Sequence, residues 1–227
     1  MKIQTRILLV SFLLCFVTQI NAQPINYNIK NGIGIQAGIT LYDIDTDNFI
    51  TKQGNGFIGG MAATVELPHR WYTVSWGMLF SEQNFEISGR MTDDVNGEEA
   101  IGYNLKMIQL AFMFHAKILG PNLTLDAGPQ LQYNGEMELK NSLHEDYFIN
   151  NYAMLSASDI TDITKLNANG VVGLTAGLGR FRIRASYTHG FTNILNNLNN
   201  TNLDVGSNNT EFKGNQKIMA FSMVITL

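Results

Sequence analysis

Three aspartates at alternate positions are the first residues whose spacing suggests chemistry. In Asp43-Ile44-Asp45-Thr46-Asp47-Asn48 the carboxylates sit where the first ligands of a calcium loop would. The glycine expected next is Asn48, and the glutamate expected at the twelfth position is Gly54. Without those two residues the stretch reads as an acidic loop at the end of a strand. Weak divalent binding is the alternative. Ser186 and His189 would suit acyl transfer at a membrane rim, but three residues apart on a strand they point to opposite faces. His69 and His144 have no partner at metal-ligand spacing, and no nucleophile, phosphate or zinc motif is present. The Asn-Asn-Thr triplets at Asn199 and Asn208 read as chance matches to a glycosylation pattern. No enzyme activity, cofactor or metal is expected.

A second set of ionic residues is more coherent: Glu66, Lys106, His115, Lys117, Asp126, Arg182 and Arg184. Each lies on the polar side of an alternating segment. Inside a narrow barrel such charges must pair, or each costs on the order of several kcal/mol. Arg182 and Arg184 are expected to reach Asp126 or Glu66 across the interior. The expected result is a salt-bridged plug, with a gated path for a small solute as the alternative.

The elements that must carry these residues have a period of two. Ile33, Ile35, Ala37, Ile39 and Leu41 alternate with Gly34, Gln36, Gly38 and Thr40. Further alternating segments start near Gly56, Tyr72, Ile108, Leu123, Val172 and Phe181, and the last runs from Ile218 to Leu227. That gives about eight strands, an even number typical of the smallest outer-membrane barrels. Tight turns at 68–70, 120–122 and 179–180 alternate with loops near 45–55, 90–100, 136–167 and 194–214. The Asn-rich segment Asn193 to Asn202 reads as a flexible polar loop. In the last strand Met219, Phe221, Met223, Ile225 and Leu227 are expected to face lipid, with Ser222 and Thr226 inside. That strand should pair with the first and close the barrel. Trp71, Tyr72 and Phe181 near the turns, and Tyr42, Phe57, Phe80, Tyr103, Tyr133 and Phe191 near the loops, suggest two interfacial girdles. The apolar positions Ile101, Tyr103, Leu105 and Met107 have the opposite parity to Ile108 and those after it. Either a bulge lies near Met107 and Ile108, or the earlier part projects beyond the membrane.

Composition agrees. Charged residues are 15% of the 227-residue chain while hydrophobic residues are an ordinary 45%. A soluble domain carries roughly 25% charge. Residues 1–22, with Lys2 and Arg6 before an apolar run, are laid out as a signal peptide cleaved after Ala22. Cleavage would remove the sole cysteine, Cys15, so no disulfide or thiolate site is expected. Taking Lys2 and Arg6 from the 15 basic residues leaves 13 against 19 acidic ones, a net charge of −6. A nucleic-acid partner is therefore not expected. Residues 23–31 would form a short periplasmic segment and 32–227 the barrel.

The motifs "GIGIQAGIT", "GFIGGMAATVEL", "LTLDAGPQLQY", "GLTAGLG" and "FRIRASYTHGFTNI", with a strand at the C-terminus, resemble the PorT-type outer-membrane β-barrel family of Bacteroidetes-type Gram-negative bacteria. The resemblance covers residues 30–227. It implies an all-β, membrane-spanning, antiparallel up-and-down barrel of OmpA/OmpX-like architecture in the cell outer membrane. A barrel holding ligand- or partner-binding loops is the leading expectation. A part in a PorT-type secretion system and a narrow pore are the alternatives. Expected partners are outer-membrane lipid and lipopolysaccharide, the barrel assembly machinery and, in the secretion reading, secretion-system proteins.

Overall fold

The computed structural model describes residues 30–67, 70–91, 97–201, 203, 205 and 211–227. The expected signal peptide and most of the segment after it, the turn residues Pro68 and His69, and the Asn208 triplet lie outside those residues. Among the described residues ten strands are formed: β1 (Lys30–Asp45), β2 (Thr51–Lys52), β3 (Gly54–Glu66), β4 (Tyr72–Arg90), β5 (Glu99–Lys117), β6 (Leu123–Leu139), β7 (Phe148–Ile149), β8 (Leu166–Leu178), β9 (Phe181–Gly190) and β10 (Asn215–Thr226). Eight of them make a closed antiparallel ring in the order β1-β3-β4-β5-β6-β8-β9-β10. β10 returns to β1 from Gly34↔Thr226 to Asp45↔Asn215, so no barrel edge is left open. The two-residue strands β2 and β7 both pair with the far end of β4.

The turns β3–β4, β5–β6 and β8–β9 are short and lie at one end. At the β8–β9 turn Gly179 takes φ 61°, a left-handed conformation that favours glycine. Within the wall, glycines on the inner face let strands approach closely. A Cβ on Gly38 would lie 2.2 Å from the Phe221 carbonyl oxygen and 2.6 Å from Ser222 Cα on β10. Gly38→Val is therefore expected to block β1–β10 closure. Its check is the fraction of chain that migrates as folded barrel on unheated gel electrophoresis, which should fall severalfold. Normal yield would mean the seam is not tight there.

β4 and β5 are 19 residues each, yet a tilted strand crosses a membrane in about 9–11. Both continue beyond the bilayer, and their polarity inverts along the way. On β4 the outward residues change from Trp76, Met78 and Phe80 to Glu82, Asn84 and Glu86. The inward ones change from Thr73 and Ser75 to Phe85 and Ile87. On β5, Phe112, Leu110 and Ile108 face out near the turn, followed by Lys106 and Asn104. His115 and Gln109 face in, followed by Met107, Leu105, Tyr103 and Ile101. The lower half is a membrane barrel and the upper half has the polarity of a soluble one.

This inversion resolves the parity question. Odd-numbered residues of β5 point inward throughout, so β5 does not change face; its earlier part projects beyond the membrane. The register shift lies across the β5–β6 pair. Leu105 faces Met137 and Met107 faces Asn134, so Gly135 and Glu136 oppose Lys106 alone and the extra residue is on β6. On β6 the inward set changes from Gln130, Gln132 and Asn134 to Met137.

Above the membrane the interior is an apolar core. Tyr42, Ile44, Phe85, Ile87, Ile101, Tyr103, Leu105 and Met107 from the strands meet Phe49, Tyr152, Leu155, Ile160, Ile163, Ile194, Leu198 and Phe212 from the loops. Tyr42 and Tyr103 are thus core residues at 0% exposure, not girdle residues. Phe57, Phe80, Tyr133 and Phe191 do face outward. Tyr103 Oη donates to the Ala157 carbonyl at 3.0 Å, and burial pushes its phenol pKa up, keeping it a donor.

The Asn-rich segment differs from expectation in the same way. Asn196–Asn200 forms a short 3-10 helix that buries Leu198. Its asparagines clamp chain to chain. Asn199 accepts from Phe212 N at 2.7 Å and donates to Phe212 O at 2.9 Å. Asn193 accepts from Leu195 N and Gly214 N and donates to Phe212 O. A high asparagine content here supplies paired donors and acceptors that satisfy loop backbone, not polar slack.

Candidate functional site

The polar interior of the membrane half is stacked in two layers. Nearest the short turns lies an ionic layer centred on Asp126, which β6 directs inward and buries to 1% exposure. One of its oxygens lies 2.7 Å from His115 Nδ1 on β5 and accepts from Thr124 at 2.7 Å. The other accepts from Thr175 on β8 and lies 3.3 Å from Arg184 Nε on β9. Arg184 also donates to Thr175 and to Gln36 on β1, and Gln36 donates to Ser222 on β10. Lys117 pairs with Glu66 at 3.2 Å. Above this is an amide layer. Gln132 donates to Gln216 and Asn134; Asn169 donates to Gln130 and Gln132; Gln216 donates back to Asn169.

Of the residues singled out from the sequence, Asp126, His115 and Arg184 come together as one cluster, and Glu66 with Lys117 as a neighbouring pair. Arg182 faces the same hollow without an ion partner among the described residues. Lys106 is a correction. It points outward above the membrane and pairs with Glu138 at 3.0 Å. It has the outward parity of Ile108, and only its place on β5 makes that face polar. Pairing of Arg184 with Asp126 runs across the β6–β8–β9 wall. Thr124, Thr175, Gln36 and Ser75 complete the network; their inward parity was the signal available for them.

Ser75 Oγ lies 2.7 Å from His115 Nε2. With Nδ1 donating to Asp126, Nε2 accepts from the serine, the atom order of a hydrolytic triad. Two features make it a strut. Ser75 is 4% exposed and lines neither interior hollow. Asp126 is shared with Arg184 and two threonines. Ser186 faces the inner hollow, whereas His189 stacks on Tyr187 and meets Phe191 edge-on, a ring exposed on the outer wall. In the acidic stretch, Asp45 pairs with Lys217 at 2.8 Å and Asp43 accepts from Ile44 N. Among the described residues no three His, Cys, Asp or Glu side chains converge as a metal site.

The interior is nearly full. A hollow of about 210 Å³ opens at the short-turn end, and one of about 40 Å³ lies between the ionic layer and Ile58, Leu79 and Ala220. Above the amide layer the apolar core closes the other end.

The family model described as "outer membrane protein beta-barrel domain" matches residues 21–196. No curated protein matches the sequence. Among solved structures, Neisserial surface protein A is similar with TM-score 0.51 and 8% identity, covering 86% of this chain and 97% of that one. The attachment invasion locus protein Ail of Yersinia pestis has TM-score 0.45 and 12% identity, covering 87% and 99%. OprG of Pseudomonas aeruginosa has TM-score 0.44 and 8% identity, covering 87% and 96%. At these identities the likeness is one of fold.

Proposed function

The chain belongs to the outer membrane protein beta-barrel domain family, a small barrel of the outer membrane, and from that premise we propose that it is a rigid mount for a folded extracellular cap. The observation that carries this is the apolar core above the membrane, which fixes loops that would otherwise be mobile. Ordered loops lose less entropy on binding than flexible ones, so a preformed surface favours a macromolecular partner. The cap also exposes large apolar side chains, Leu143 at 79% and Met154 at 58%. Lipid and lipopolysaccharide contact the apolar outer wall below it.

The test is a photo-crosslinking residue placed at Leu143 or Met154 in intact cells of the native host. A discrete adduct at these positions, absent from a lipid-facing control at Met223, is expected. A cap that yields no adduct under any growth condition removes the interaction reading. The PorT-type secretion role is a second reading, supported by the strand motifs. It predicts exported proteins trapped in the periplasm of a deletion strain. Conduction is the least supported reading, because Gln, Asn and apolar side chains fill the lumen above the ionic layer.

A further inference from the structure

We propose that the hollow at the short-turn end is a binding site for a phosphate oxyanion entering from the periplasmic side. It is lined by Arg182, Arg184, Lys117 and His115 with the hydroxyls of Thr64, Thr73 and Thr226. Among its side-chain cations, Lys117 is matched by Glu66 and Arg184 by Asp126, which leaves Arg182 without an ion partner among the described residues. No carboxylate of the described residues lies within ion-pair distance of Arg182.

The unspent donors point the same way. Thr64, Thr73 and Thr226 make no side-chain hydrogen bond among the described residues. Thr124 and Thr175, by contrast, are both committed to Asp126. Arg182 and Arg184 are two residues apart on one face of β9, so like charges sit side by side. An anion beside them relieves that repulsion and takes the planar donor fork of Arg182, which no described residue occupies. The low-dielectric wall around the hollow strengthens the attraction. The segment from 23 to 29 carries no acidic residue, so it offers no carboxylate to take this place. A volume of about 210 Å³ accommodates a phosphate with a small substituent, not a folded partner.

The experiment is calorimetric titration of the full chain, purified in zwitterionic detergent, at fixed ionic strength in chloride. One arm uses inorganic phosphate; the other uses a soluble short-chain phosphatidylglycerol. Saturable one-to-one binding in either arm is expected, and the stronger arm identifies a free anion or a lipid headgroup as the source. Arg182→Gln should weaken it at least tenfold, while Arg182→Lys, which keeps the charge but not the fork, falls between. Lys165→Gln makes the same charge change in the cap and should leave affinity unaltered. Folding of each variant is checked by unheated gel mobility. Absence of saturable binding in both arms overturns the site, as does equal binding by well-folded Arg182→Gln.

Discussion

Asp126→Ala lowers the stability of the folded barrel by about 3–5 kcal/mol, the range for breaking a buried ion pair by removing one partner. The carboxylate takes a hydrogen bond from each of Thr124 and Thr175 and neutralises Arg184, whose side chain is only 15% exposed. Its loss leaves the guanidinium in a low-dielectric interior, and His115 keeps only its contact with Ser75. Arg184 would retain Gln36 and Thr175, which satisfy hydrogen bonds but not charge. Asp126→Asn keeps the shape and part of the bonding, so it should cost less. Asp126→Ala combined with Arg184→Met removes both charges and should recover part of the loss. The measurement is the urea midpoint of the full chain in detergent micelles. A midpoint unmoved by Asp126→Ala would show that the cluster is hydrated and weak.

The sequence made the membrane half legible because alternation there has one meaning. Large apolar residues outside and small or polar ones inside identify Ile33 to Thr40, Trp76 to Phe80 and Met219 to Ile225 directly. Part of the ionic cluster was legible too: the inward parity of Asp126, His115 and Arg184 marks residues that meet, whereas Arg182, on the same face, finds no ion partner among the described residues. Two things were hidden. Alternation reports that two faces differ, not which solvent each sees, so Tyr42 and Tyr103 look like girdle residues until their strand is seen to leave the bilayer. Lys106 is misread for the same reason. Asparagine-rich loop sequence was equally silent. Asn193 and Asn199 read as polar filler, and their clamping role depends on Phe212, an aromatic residue beyond them that must turn back into the core. That contact joins distant segments and has no local period.

The second large effect follows from the cap being a core of its own. Leu155 is wholly buried between β7 and the loop segments, and its carbonyl accepts from Ile149 N at 2.8 Å. Leu155→Ala should cost about 2–5 kcal/mol, as for other buried leucines. The cost should fall on the cap first. Below it the barrel is held by its closed ladder and ionic layer, whereas residues 141–165 depend on apolar contacts, on β7 and on Arg90, which donates to the Ile149 and Tyr152 carbonyls. A loss at the low end of that range raises the opened population roughly thirtyfold. Proteinase K should then nick the variant within 141–165 while the barrel keeps its folded mobility on an unheated gel. Leu143→Ala, at an exposed position, should leave the rate of nicking unchanged. Faster nicking with an intact barrel makes the cap a separate unit carried by the membrane half. Unchanged nicking would mean that the inward apolar face does not hold the loops, and the preformed surface on which the mount reading rests would lose its physical basis.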